Sequence, residues 1–177
     1  MKEQYKNILQ IAGSGRNVGK TTFISQVILA EKDKEIIAVK ITPHFHEPTP
    51  GIKKLNEGEG WKLYEETDRT TRKDTSRFLQ NGAKKSYLIE FEGDFLQEAF
   101  NSLVPCLDDN KPVVIESAAL INIIQPGIFV VILPDGECRN RKLEPVLQKA
   151  DLIIISDGTQ FQPSNKRIWF DNSWVID

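Results

Sequence analysis

Short, continuous Val/Ile/Leu-rich runs recur along the chain at Ile8 to Ile11, Ile36 to Ile41, Tyr87 to Phe91, Val113 to Ile115, Ile128 to Leu133 and Leu152 to Ile155. A strand with one wet face alternates apolar and polar residues. Unbroken apolar runs instead imply strands buried on both faces, as in a parallel sheet covered by helices. Helix-like stretches lie between them at Thr21 to Ala30, Thr75 to Asn81, Asp94 to Leu107 and Leu143 to Lys149. In the third, Phe95, Ala99, Leu103 and Leu107 fall at i, i+4, i+8 and i+12, one buried stripe. The alternation predicts a doubly wound α/β domain, with a mostly parallel sheet and helices on both faces. At 177 residues the chain is read as one domain over 1–177.

Composition narrows the class. Hydrophobic residues make up 40% and charged residues 27%, the balance of a soluble globular chain, and the formal net charge of −2 gives no basic field for nucleic acid or a membrane surface. Cys106 and Cys138 stand far apart without CxxC spacing, so neither a disulfide framework nor a zinc knuckle is indicated. No apolar run approaches a membrane span, and "MKEQYKNILQ" does not read as a signal peptide. The expectation is a cytoplasmic domain. One segment breaks the rhythm: Thr42 to Lys73 carries three prolines and three glycines with little period, and reads as a long loop, functional or merely solvated.

The strongest local signal is "GSGRNVGKTTF", preceded by the strand "NILQI" and followed by the helix "TTFISQVILA". The usual phosphate-loop spacing is Gly, four residues, then Gly-Lys-Ser/Thr, but position 14 is Ser14, flanked by Gly13 and Gly15. The context is nevertheless right, because a helix N-terminus offers free N–H groups and a positive dipole end to an anion. Gly13, Ser14, Gly15, Arg16, Asn17, Val18, Gly19, Lys20, Thr21 and Thr22 are therefore the candidate phosphate-binding residues. Lys20 would reach the β/γ-phosphates and the Thr21 hydroxyl would help hold Mg²⁺. The alternative is a glycine-rich turn with an incidental lysine.

The spacing of five residues between Gly13 and Gly19 resembles the G-T-x-x-x-V-G-K-T loops of dethiobiotin synthetase and the cobyrinate amidotransferases. Further along, "AVKITPHFH", "KDTSRFLQNGAKKSYLI" and "PVVIESAAL" resemble motifs of the molybdopterin-guanine dinucleotide biosynthesis protein B (MobB) family. The chain departs from that family in its longer loop register, its fewer histidines, and Ser117 after Glu116. The resemblance implies a P-loop NTPase fold, GTP as ligand, and a supporting role in molybdenum-cofactor maturation.

Outside the loop, Glu116 ends the strand "VVIE" and is the natural Mg²⁺ partner of Thr21, unless it simply turns to solvent. Lys40 closes "EIIAVK", where it would meet phosphate or a second substrate. Asp74 is an N-cap candidate or part of the site, and Arg77 is a surface cation or, by the resemblance, a phosphate ligand beside the nucleotide. His44 and His46 lack further ligands at a metal-binding spacing. Glu90 and Glu92 are weaker acidic candidates; the basic run Cys138 to Lys142 and Asp157 read equally well as plain loop and turn. Gly15 stands where dimerising ATPases of this class carry an extra lysine.

The expected function is Mg²⁺-dependent binding and slow hydrolysis of GTP or ATP, with Lys20, Thr21 and Glu116 as the catalytic set and a protein partner or second copy as the possible companion. Two alternatives stand beside it. One is a small-molecule kinase or dethiobiotin-synthetase-like ligase with its acceptor site in Thr42 to Lys73. The other is a nucleotide-gated partner-binding module with negligible turnover.

Overall fold

A computed structural model describes residues 2–15, 17–136 and 143–177; the candidate phosphate ligand Arg16 and the basic run from Cys138 to Lys142 lie outside the described residues. In chain order the elements are β1 (Glu3–Gly13), α1 (Lys20–Ala30), β2 (Ile37–Thr42), β3 (Ile52–Gly58), β4 (Trp61–Glu66), α2 (Asp74–Gln80), β5 (Lys85–Phe91), α3 (Leu96–Leu103) and β6 (Val113–Glu116). They continue with β7 (Ile124–Pro134), α4 (Glu144–Leu147), β8 (Leu152–Ser156), β9 (Phe161–Gln162), β10 (Ile168–Phe170) and β11 (Trp174–Ile176). Each apolar run singled out in the sequence falls in a strand, apart from Ile36, which precedes β2. The helices are shorter than expected in two places. The third ends at Leu103, where Val104–Cys106 tightens into a 3₁₀ turn carrying Pro105, and the fourth is a single turn with Pro145.

The architecture is α/β, but the sheet is mixed rather than mostly parallel. Its nine strands run in the order β3-β4-β5-β2-β6-β1-β7-β8-β9. The central pairings β5–β2, β2–β6, β6–β1, β1–β7 and β7–β8 are parallel, whereas β3–β4, β4–β5 and β8–β9 are antiparallel. The antiparallel pairs at one edge come from the segment read as a loop. From Ile52 to Glu66 it is a hairpin, and "WKLYEE" carries the short alternation that buries Trp61 and Leu63 on the sheet. Its partner β3 is almost wholly exposed, with Lys53 and Lys54 on the outer edge, the charge that discourages a further strand from pairing.

The two faces of the sheet divide by strand parity. Leu9, Ile11, Ala38 and Val114 point to the side covered by Phe23, Ile24, Val27 and Ile28 of α1 and by Phe78 of α2. Ile8, Val39, Ile41, Val113 and Ile115 point to the other side, against Leu96, Ala99, Phe100 and Leu103 of α3. The C-terminal hairpin β10–β11 closes the α1 side. Trp174 is buried there and donates its indole N–H to the Asn7 carbonyl at 2.8 Å.

Because β1, β2, β5 and β6 are parallel, their carboxyl ends open on one rim. Register sets Glu116 of β6 directly between Ile11 of β1 and Lys40 of β2. In an open parallel region of a sheet, this is where a ligand meets the loops.

Candidate functional site

The loop from Gly13 to Gly19 is shaped by packing at both ends. A Cβ on Gly13 would lie 2.6 Å from Val18 Cγ2, and Val18 is itself only 6% exposed, so this pair seals the loop onto the core. Gly19 caps α1 with φ 87°, a left-handed value that L side chains rarely adopt. No side chain caps α1, which leaves the first N–H groups of Lys20, Thr21 and Thr22 directed out of the helix end. The Ser14 amide donates to the Ile132 carbonyl of β7 at 3.2 Å, and the Gly15 carbonyl accepts from the Lys20 ammonium at 2.6 Å.

Around this helix end four functional groups converge. Thr21 Oγ1 lies 2.9 Å from Asp74 Oδ1 and 3.4 Å from Glu116 Oε2, and its single proton serves the nearer carboxylate. The Lys40 ammonium bridges the same two acids, at 2.5 Å from Glu116 Oε1 and 3.1 Å from Asp74 Oδ2. The Glu116 side chain is 4% exposed, so its charge depends on these partners. Burial works against the charge on Lys40, but Glu116 and Asp74 outweigh it and push the amine above its ordinary value. Lys20 shifts the other way. Its burial, reinforced by the like charge of Lys40, outweighs the pull of Glu116 and Asp74 and lowers its pKa.

Of the two roles the sequence leaves open for Asp74, helix cap or site residue, the contacts favour the second. It is the first residue of α2 rather than its cap, Lys73 takes the cap position, and no side chain hydrogen-bonds to that helix end. The carboxylate is turned instead to Thr21 and Lys40. The start of α2 is held in place from β4, where Glu66, 3% exposed, accepts from the Thr75 hydroxyl at 2.9 Å. The hairpin missed in the sequence is thus what positions Asp74. Nothing local signals this, because the contact joins a strand and a helix across an irregular connection.

Asn17, Gly19, Lys20, Thr21, Thr22, Asp74, Arg77, Glu116 and Gly158 line a cleft of about 330 Å³. Gly158, from the turn after β8, has no sequence signal. In that turn Asp157 spends one oxygen on the amides of Thr159 and Gln160 and on the Thr159 hydroxyl, the plain-turn alternative. A second, larger concavity of about 440 Å³ opens on the other side of Asp74, which lines both. Lys40, His44, His46, Tyr64, Leu88 and Glu90 belong to its walls. His46 approaches Glu90 Oε1 with both its backbone N–H and Nδ1, each at 3.0 Å. Among the described residues, no group of three or more His, Cys, Asp and Glu side chains is placed to hold a metal ion, and no helix is long and apolar enough to cross a membrane.

No family model matches the chain, and no curated protein or solved structure does either.

Proposed function

We propose that the cleft binds the phosphates of a nucleoside triphosphate, GTP or ATP, together with Mg²⁺, and that the chain hydrolyses it slowly on a P-loop NTPase plan. The observation that carries this reading is the convergence of Thr21, Asp74 and Glu116 at the uncapped N-terminus of α1, directly after a glycine loop. Mg²⁺ in phosphate sites keeps several waters and takes one or two protein carboxylates. Asp74 and Glu116 with the Thr21 hydroxyl fit that demand, although they are too few for an all-protein metal cage. When bound, Mg²⁺ supplies charge neutralisation between the β- and γ-phosphate oxygens.

The chain's own residues supply the rest. The N–H groups of Lys20, Thr21 and Thr22 and the Lys20 ammonium receive phosphate oxygens, and Lys20 leaves the Gly15 carbonyl to do so. Arg77 lines the same cleft and offers a second cation to phosphate. Lys40 holds the two carboxylates together, and would give up these contacts if both carboxylates held a divalent cation. Among the described residues, no carboxylate or imidazole other than Glu116 and Asp74, which would hold the metal, lines the cleft. Slow turnover driven by charge stabilisation follows.

The MobB resemblance extends this reading to a cytoplasmic accessory role in molybdenum-cofactor maturation, with a protein partner or a second copy as companion. A second reading, transfer to a small acceptor, is favoured by one observation: the larger pocket and the phosphate cleft share Asp74, which Lys40 of the larger pocket contacts. A thermal-shift screen of ATP, GTP and their diphosphates tests the nucleotide reading, since a ligand of the native state raises the melting temperature by mass action. Stabilisation by a triphosphate only when Mg²⁺ is present supports it. No stabilisation by any of the four removes it.

A further inference from the structure

The larger pocket contains a buried carboxylate that the nucleotide reading does not use. Glu90 sits near the carboxyl end of β5, between Thr42 of β2 and Lys62 of β4. Its side chain is 2% exposed, and its Oε1 is engaged by the backbone N–H and Nδ1 of His46. Its Oε2 is enclosed and has no hydrogen-bond partner. The cation nearest in register does not relieve this, because Lys62 stands over the Phe45 ring at 5.3 Å from its centroid. Of the two lysines that line the pocket, Lys40 is committed to Glu116 and Asp74, and Lys73 gives Oε2 no hydrogen bond. A buried carboxylate oxygen without a donor is costly, and natural proteins rarely leave one so.

The rest of the pocket indicates what completes it. Ile52, Tyr64 and Leu88 give the wall an apolar stretch, and the volume of about 440 Å³ is that of a small-molecule site. Burial, and then the nearby Glu90 carboxylate, push the Tyr64 phenol up, which keeps it a neutral hydrogen-bonding group. The segment bearing His44, His46 and Pro48 lies outside helix and strand and is held down through His46 on Glu90. A hydroxyl would satisfy Oε2 as a donor but would leave its charge uncompensated, whereas a protonated amine does both.

We propose that this pocket binds a small molecule carrying a primary ammonium group, with the ammonium on Glu90 and a short hydrocarbon body against Ile52, Tyr64 and Leu88. The site stands apart from the nucleotide reading and binds its ligand whether or not a triphosphate occupies the cleft. The test uses ¹⁵N-labelled full-length protein titrated with n-butylammonium, and with butyrate and 1-butanol as matched controls. Butylammonium is expected to shift the amides of 44–52 and 88–91 saturably, while the two controls give no saturable change there. Glu90→Gln, which keeps the shape and an acceptor for His46, is expected to weaken that binding at least tenfold and to leave Mg²⁺–triphosphate affinity unchanged. Equal responses to butylammonium and 1-butanol, or undiminished binding by Glu90→Gln, would overturn the proposal. The comparison of the three probes on the wild-type protein decides the matter even if the variant does not fold. Butylammonium binding without any triphosphate binding would sink the nucleotide reading and leave this one standing.

Discussion

The two concavities beside Asp74 are built in opposite ways. The cleft at the end of α1 is assembled mostly from one contiguous stretch, Asn17 to Thr22, completed by Asp74 and Arg77 of α2, Glu116 of β6 and Gly158 of the turn after β8. The larger pocket takes its walls from β2, β3, β4, α2, β5 and the irregular segment after Thr42, elements far apart in the chain. The first is anchored to the core through Gly13 and Val18. The second is roofed by a segment held through one histidine. Binding chemistry encoded over a short stretch of chain is thus placed next to chemistry that exists only once the sheet has formed.

Substitutions should separate the two. The largest effect is expected at Phe23, fully buried under α1 and stacked edge-on to Phe161 at 5.0 Å. Phe23→Ala should cost about 3–5 kcal/mol of stability in denaturant unfolding, destroying both regions together. Next, Glu116→Gln removes a buried charge that the proposed Mg²⁺ site requires. It should weaken Mg²⁺-dependent triphosphate binding about tenfold, the scale of one charged hydrogen bond, while butylammonium binding is retained. If both sites fail together in a folded Glu116→Gln protein, the two regions are not separable.

Lys40 stands on the boundary and should respond with the opposite sign. Lys40→Met frees Glu116 and Asp74 from their present cation, so Mn²⁺ without nucleotide should bind about fivefold more tightly, by electron paramagnetic resonance, the scale of one partly exposed ion pair. Unchanged or weaker Mn²⁺ binding would show that Lys40 does not occupy the metal position. A pH series sharpens the same point. Lys20 is lowered from 10.5 by burial, so it loses its proton below that pH. Lys40 is raised from 10.5, so the stability from its ion pairs is fully present below 10.5 and is lost only above it, as pH rises through the folded value. Triphosphate affinity should therefore fall on the alkaline side before the fold loosens. The smallest effect is expected at the outer edge, where Lys54 and Glu57 pair at 2.7 Å on the exposed strand β3. Lys54→Ala should leave the melting temperature and both binding sites unchanged.

The same contrast explains how much was legible in the sequence. The buried strands announced themselves because continuous Val/Ile/Leu runs have one physical use in a globular chain. The loop Gly13 to Gly19 and the position of Glu116 were equally plain, since each depends on neighbours in sequence or on a strand end. The hairpin Ile52–Glu66 was not, because β3 lies at an edge and buries almost nothing, so its composition is that of a loop. Losing it also hid the mixed character of the sheet. The strands after Ile155 were missed for the same reason: β9, β10 and β11 are two or three residues long, and Phe161, Phe170 and Trp174 show their burial only in the assembled core. For Asp74 the sequence left cap and site both open, because an acidic residue at a helix start is often a cap. Its real partners, Thr21 and Lys40, are supplied by other elements. Glu90 gave no sign of an orphaned oxygen until Lys62 was seen over Phe45.

The central claim is that the end of α1 is a phosphate site whose charge comes from Lys20. Calorimetric titration of Mg²⁺–GTP and Mg²⁺–ATP into wild-type and Lys20→Ala protein tests it directly. At least one triphosphate should bind the wild type, and Lys20→Ala should weaken it about 100-fold, as losing a charge-assisted contact to phosphate entails. Binding of equal strength to both proteins would contradict the assignment.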